Sequence, residues 1–155
     1  GEVGEIVFKS PTNTIGYLKN DEETEKALKD GWLLTGDLGY IDDEGYLFIV
    51  DRKKSLIMRG GENISTLEVE NALDRHANIL ESCVCGIDDP KFGEIVGAYI
   101  YCNADVSEEA IKEFLNESIA GYKVPEVFHI SKDALPRIAT EKIDRVGIKK
   151  ILSSQ

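Results

Sequence analysis

The sequence predicts an α+β fold: a small mixed domain with a three-stranded sheet and flanking helices, preceded by a β-rich stretch. Three observations carry that expectation. Short apolar runs bounded by turn residues recur along the chain, and two segments pair a helix-start signal with an apolar stripe. Strands and helices are mixed without strict β-α-β alternation, which favours α+β over a parallel α/β sheet.

In chain order, residues 5–9 form a short alternating run that stops before Ser10-Pro11. Residues 20–29, rich in Glu and Lys, read as a polar helix ended near Gly31. Residues 38–41 and 46–50 flank Asp42-Asp43-Glu44-Gly45, which predicts a β-hairpin. This first third has too few apolar residues to close a core alone. Asp51-Arg52-Lys53-Lys54 interrupts the apolar pattern and marks a boundary or hinge. Residues 55–58 return to strand character before Gly60-Gly61. Ser65 and Glu68 form a capping box for a helix to about His76, with Val69, Ala72 and Leu73 as its stripe. Residues 80–87 and 95–101 are β-rich runs on either side of a turn-like segment, 88–93. Ser107 opens a second amphipathic helix bearing Ile111, Phe114, Leu115 and Ile119. A third strand at 127–130 and a loop at 135–142 lead to a short last helix around Arg145–Leu152.

Of the 155 residues, 42% are hydrophobic and 30% charged, as expected of a folded globular chain. No apolar run approaches the ~18 residues of a membrane span, and no basic-then-apolar leader is present. A cytoplasmic setting is expected. Cys83, Cys85 and Cys102 are an odd number without a C-x-x-C pair, so they read as buried thiols in a reducing compartment. The net charge of −11 argues against a nucleic-acid surface. Residues 1–50 hold eleven acids and four bases, residues 51–155 eighteen and fourteen. Two basic clusters break this background: Arg52, Lys53, Lys54 and Arg59, then Arg137, Lys142, Arg145, Lys149 and Lys150. They suit a small anion such as a nucleotide; a solvated face is the ordinary alternative.

The residues offer no Ser-His-Asp or Cys-His set, no metal-ligand spacing and no G-x-x-x-x-G-K-[ST] loop. His76 and His129 read as structural. Three polar constellations remain, each expected at a strand end or turn. In Thr35-Gly36-Asp37 the glycine allows a tight turn, and the carboxylate can accept two hydrogen bonds from a vicinal diol. Asp51-Arg52-Lys53-Lys54 runs through a strand to Gly60-Gly61-Glu62-Asn63, read as a strand-to-helix loop or a place of close ligand approach. In the segment from Pro136 to Arg145, Lys142 stands in a polar loop where its ammonium can meet charge developing on carboxylate and phosphate oxygens. Turn-capping, an ordinary loop and a surface lysine are the respective bland readings.

In this order and at these separations, the constellations resemble late motifs of the superfamily of acyl-CoA synthetases, peptide-synthetase adenylation domains and beetle luciferases. Gly31-Trp32-Leu33-Leu34-Thr35-Gly36-Asp37-Leu38-Gly39-Tyr40 is similar to the W-x-x-T-G-D-x-G/A-Y segment. Val50 to Ile57, continuing to Gly60-Gly61-Glu62-Asn63-Ile64, resembles the hinge motif and the loop after it. Leu135-Pro136-Arg137 with Lys142-Ile143-Asp144-Arg145 resembles the final lysine motif. Gly4-Glu5-Ile6-Val7 with Gly16-Tyr17-Leu18 fits a motif just upstream.

The resemblance implies a fragment of an acid–thiol ligase, inactive alone and expected in fatty acid metabolism. Residues 1–51 would be the last β-rich part of the large AMP-binding domain, and 52–155 the mobile carboxy-terminal domain. ATP, Mg2+ and CoA are the implied cofactors, with the ATP and Mg2+ sites mostly in the missing domain. The partners are a carboxylic acid, CoA or a carrier-protein thiol, and that missing domain, with no nucleic acid and no membrane span. Carried over residue by residue, Asp37 and Arg52 would bind nucleotide, Lys54 would be the hinge, and Gly60, Gly61 and Glu62 would form the thiol-side loop. Lys142 would be catalytic; no metal site is implied. Glu141 departs from the family, which most often has Gly just before this lysine. Two alternatives remain open: an amino- or aryl-acid adenylation domain loading a carrier protein, and a non-catalytic binding module retaining the fold.

Overall fold

The computed structural model describes residues 1–155. It divides into two compact units, Gly1–Lys54 and Ser55–Gln155, each with its own sheet.

The first unit contains β1 (Gly4–Phe8), α1 (Asp21–Ala27), β2 (Leu28–Lys29), β3 (Trp32–Ile41) and β4 (Leu47–Arg52). Strand β3 pairs antiparallel with the other three. The α1 helix starts where Asn20 Oδ1 accepts the Glu23 N–H at 3.2 Å. It stops at Ala27, before the expected end, because Leu28 and Lys29 pair with β3. The expected hairpin joins β3 to β4. Asp42 N–H donates to the Tyr46 carbonyl and Gly45 N–H to the Asp42 carbonyl, with Gly45 left-handed at φ 89°. That is a three-residue loop closed by a left-handed residue, a bond plan in which glycine avoids the Cβ penalty.

Strand β3 is longer than residues 38–41 and takes in Thr35-Gly36-Asp37, so this triplet is not at a strand end. Glu5 pairs with Leu38 but Val7 with Leu34, so β3 holds two extra residues there. Gly36, at φ 74°, supplies the left-handed backbone of the bulge. Only Gly39 and Asp51 of this unit are buried.

The second unit contains β5 (Leu56–Arg59), β6 (Glu62–Ser65), α2 (Thr66–Leu73), β7 (Ile79–Asp89), β8 (Gly93–Cys102), α3 (Glu108–Asn116), β9 (Val127–Ser131) and α4 (Arg145–Leu152). The three expected strands are β7, β8 and β9: β8 pairs antiparallel with β7 and parallel with β9. The sheet has five strands because β5 and β6 join it, β5 meeting β8 at Arg59 and Gly93. Residues 60–61 are therefore a hairpin turn and not a strand-to-helix loop. Ser65 Oγ accepts the Glu68 N–H at 3.1 Å and Ser107 Oγ the Ala110 N–H at 3.2 Å, as the cap signals require.

Alternation along the strands sorts two cores onto opposite faces of the sheet. On one, Val84, Val96, Ala98, Ile100 and Phe128 pack with α2 and α3 through Val69, Leu73, Ile111 and Leu115. On the other, Cys83, Ile87 and Tyr99 pack with Leu135 and with Ile148 and Leu152 of α4. Each fully buried Ile or Leu contributes roughly 1.5–3 kcal/mol. Gly97 faces the α4 core, where a Cβ would lie 2.7 Å from Ile87 Cγ1 and 3.4 Å from Leu152 Cδ1. Its bare backbone lets α4 approach the sheet. No helix is long and apolar enough to cross a membrane.

Candidate functional site

In the first unit, the bulge in β3 aims Asp37 at β4. Asp37 and Arg52 are cross-strand partners, and Arg52 Nε lies 3.1 Å from Asp37 Oδ1. Thr35 Oγ1 supports the bulge by donating to the Ile6 carbonyl (2.8 Å) and accepting the Asp37 N–H (3.0 Å). Arg52 remains largely exposed, with 77% of its side chain accessible, so its guanidinium can also reach a ligand anion. Asp51 is buried, and its Oδ1 accepts the Arg52 N–H.

Glu5 lies in the upstream motif, but the sequence assigned it no role in the site. Its carboxylate accepts the Gly36 N–H at 3.2 Å and pairs with Lys53 Nζ at 2.9 Å. The Lys53 hydrogen bond holds the Glu5 carboxyl below its ordinary value. Its partners Gly36 and Lys53 could not be read from spacing, because β1 meets β3 only through strand pairing. Lys54 is exposed in the one-turn 3₁₀ segment Lys53–Ser55, the last residue of its unit.

In the second unit, Gly60 and Gly61 form the two-residue turn between Arg59 and Glu62, with φ 58° and 93°. Left-handed backbone at both positions is what such a hairpin requires. Gly60 N–H donates to the Phe92 carbonyl at 2.8 Å. The Arg59 guanidinium lies 4.3 Å from the Phe92 ring centre and pairs with Glu126. Glu62 and both glycines are exposed.

Lys142 is exposed immediately after a second three-residue loop, 139–141. Ile138 N–H donates to the Lys142 carbonyl, Glu141 N–H to the Ile138 carbonyl, and Asp144 N–H to the Pro136 carbonyl, all at 2.8–2.9 Å. Glu141 closes the loop at φ 62°, in the left-handed region that favours glycine. The loop is anchored to the edge of β7. Arg137 donates to the Glu141 carbonyl at 2.8 Å and pairs with Glu81. Arg145 pairs with the buried Glu70 of α2 at 2.9 Å, and both bond the backbone of Val84. These side chains occupy edge groups that a bare strand would leave unpaired.

Of the remaining chemistry-bearing side chains, Cys83 and Cys102 are buried, and Cys85, His76 and His129 are partly buried. Burial pushes the Cys83 thiol up to about 12 and that of Cys85 to about 11. His76 packs edge-on against Phe114, and His129 lies against Tyr99. No cluster of three or more His, Cys, Asp or Glu could hold a metal ion.

Residues 68–142 match the family model of the AMP-binding enzyme C-terminal domain. A 2-succinylbenzoate--CoA ligase of Bacillus licheniformis is 47% identical over 145 residues, 94% of this chain. The chain corresponds to the carboxy-terminal part of AMP-forming adenylating enzymes. It spans 30% of the length of that curated relative. The o-succinylbenzoate CoA synthetase of Bacillus subtilis, in complex with the acyl-adenylate intermediate OSB-AMP, superimposes with a TM-score of 0.85 at 39% identity. That match covers 96% of this chain and 30% of the other. ATP-bound MatB from Rhodopseudomonas palustris gives a TM-score of 0.88 at 31% identity, over 99% of this chain and 31% of its own. The α+β fold is thus that of the carboxy-terminal part of adenylating enzymes. The curated relatives are named for 2-succinylbenzoate, so the expected link to fatty acid metabolism finds no support in them.

Proposed function

We propose that this chain is the carboxy-terminal part of an acid–thiol ligase working in two steps. A carboxylate attacks the α-phosphate of ATP, forming acyl-adenylate and releasing pyrophosphate. The thiol of CoA then attacks the acyl carbon and AMP departs, leaving a thioester. The observation that carries this reading is the ammonium of Lys142, exposed on a hydrogen-bonded turn within the family's final motif. A cation so placed suits the negative charge that builds on carboxylate and α-phosphate oxygens during adenylation.

The other residues take roles that fit their surroundings. Asp37, with one oxygen on Arg52, keeps acceptor capacity for ribose hydroxyls, and Arg52 adds a second ribose or phosphate contact. Lys54 serves as the hinge for rotation of the following domain between the two steps. The Gly60-Gly61-Glu62 turn lies along the thiol path, where absent side chains leave room for a pantetheine arm. Mg2+ enters with ATP. Residues 1–51 belong to the large domain and 52–155 to the mobile one. An acid of the 2-succinylbenzoate kind is the first substrate to try, since the relatives are named for it.

The test is ATP–pyrophosphate exchange by the full-length ligase with 2-succinylbenzoate and other acids. Lys142→Ala is expected to lower exchange at least a hundredfold, as for loss of a transition-state charge, while thioester still forms from preformed acyl-adenylate. Exchange indifferent to Lys142 with a turned-over acid overturns this role.

A further inference from the structure

We propose that Arg137 is a positioning residue for Lys142, holding Glu141 in the left-handed conformation that sets the lysine's place on its turn. The inference rests on the adenylation role of Lys142 given above. The loop 139–141 is closed by a residue at φ 62° that carries a Cβ and a full side chain. Such a residue is disfavoured there by steric contact with the following carbonyl, and a contact from outside the turn would offset that cost.

The guanidinium of Arg137 is placed to do so. Its Nη1 donates to the carbonyl of Glu141 at 2.8 Å, while its Nη2 pairs with Glu81 on β7. One planar fork thereby ties the strained peptide to a strand whose side chains enter both cores. Arg137 and Ile143 also face each other as an antiparallel bridge, so the clamp sits at the base of the turn that carries Lys142. A relaxed Glu141 would re-aim the next residue, and sub-ångström placement matters for a group that stabilises developing charge.

A glycine at 141 needs no such clamp. The consequence is a specific dependence between two positions. In the full-length ligase, Arg137→Ala is expected to lower ATP–pyrophosphate exchange about tenfold, a charged hydrogen bond's worth. Thioester formation from preformed acyl-adenylate should stay within about twofold on the same scale. Adding Glu141→Gly to Arg137→Ala should restore most of the exchange rate.

A wild-type exchange rate in Arg137→Ala overturns the proposal, as does an equal fall in both half-reactions, which marks general loss of structure. A double variant no better than Arg137→Ala also overturns it. Lys142→Ala separates the two levels of inference. If it abolishes exchange and Arg137→Ala leaves exchange at the wild-type rate, only the clamp fails; if exchange ignores Lys142, the underlying reading fails with it.

Discussion

Gly45 and Glu141 occupy the same position in two turns with the same hydrogen-bond plan. In each, the first residue's N–H reaches a carbonyl four residues on, and the left-handed residue's N–H returns to the first carbonyl. The backbone angles are 89° at Gly45 and 62° at Glu141. One turn joins two strands by the residue best suited to it; the other presents Lys142 with a residue that resists it. A glycine in place of Glu141 would meet that backbone requirement without the Cβ contact. Glu141→Gly, alone, is expected to raise stability by up to about 1 kcal/mol, the relief of left-handed strain less the entropy glycine adds to the unfolded chain. Urea denaturation of wild type and variant measures it, and a lower midpoint for the glycine variant contradicts the argument.

Among the elements, β7 illustrates how a strand serves two cores and an edge. Val84 points to α2 and α3, Cys83 and Ile87 to α4. Glu81, Ser82 and the Val84 backbone take partners from the loop before α4, from Asp74 and from α2. Burial under α4 has a consequence for pH. Desolvation raises Cys83 from its ordinary 9.0 to about 12 and Cys85 to about 11. Above pH 9 the unfolded thiols release protons that the folded ones keep, so unfolding becomes easier as pH rises. The stability these thiols contribute is complete below pH 9 and lost toward pH 12. Denaturant titrations between pH 8 and 11 should show this decline, and Cys83→Ala should make it shallower. An unchanged slope in that variant assigns the decline to other groups.

Across the whole molecule, the two units differ in how completely they bury apolar surface. The first leaves Ile15, Leu18, Tyr46, Leu47 and Ile49 more than half exposed, and its buried residues are a glycine and an aspartate. The second closes two cores around one sheet. Residues 55–155 produced alone are thus expected to unfold in one cooperative transition. Residues 1–54 alone should lack fixed structure, because their burial cannot offset chain entropy of about 1–2 kcal/mol per residue. Circular dichroism with thermal melting of each piece decides this; a cooperative melt of the shorter piece contradicts it.

The sequence by itself determined the elements whose signals are local. The Ser65 and Ser107 caps, the Asp42 to Gly45 hairpin and the bounds of the last helix depend on neighbours within a few residues, and all appear where those neighbours place them. The order and spacing of Asp37, Arg52, Gly60, Gly61 and Lys142 likewise marked the family. Tertiary structure decided what depends on pairing between distant segments. The bulge at Gly36 exists because β1 pairs with β3 in one register before it and another after it. The Gly60-Gly61 turn is a hairpin because Glu62–Ser65, too short and polar to announce a strand, pairs with β5. Glu5 and Arg137 acquire partners 31 and 56 residues away. Composition and periodicity carry no record of such contacts, because a hydrogen bond across strands depends on register, which only the folded backbone supplies.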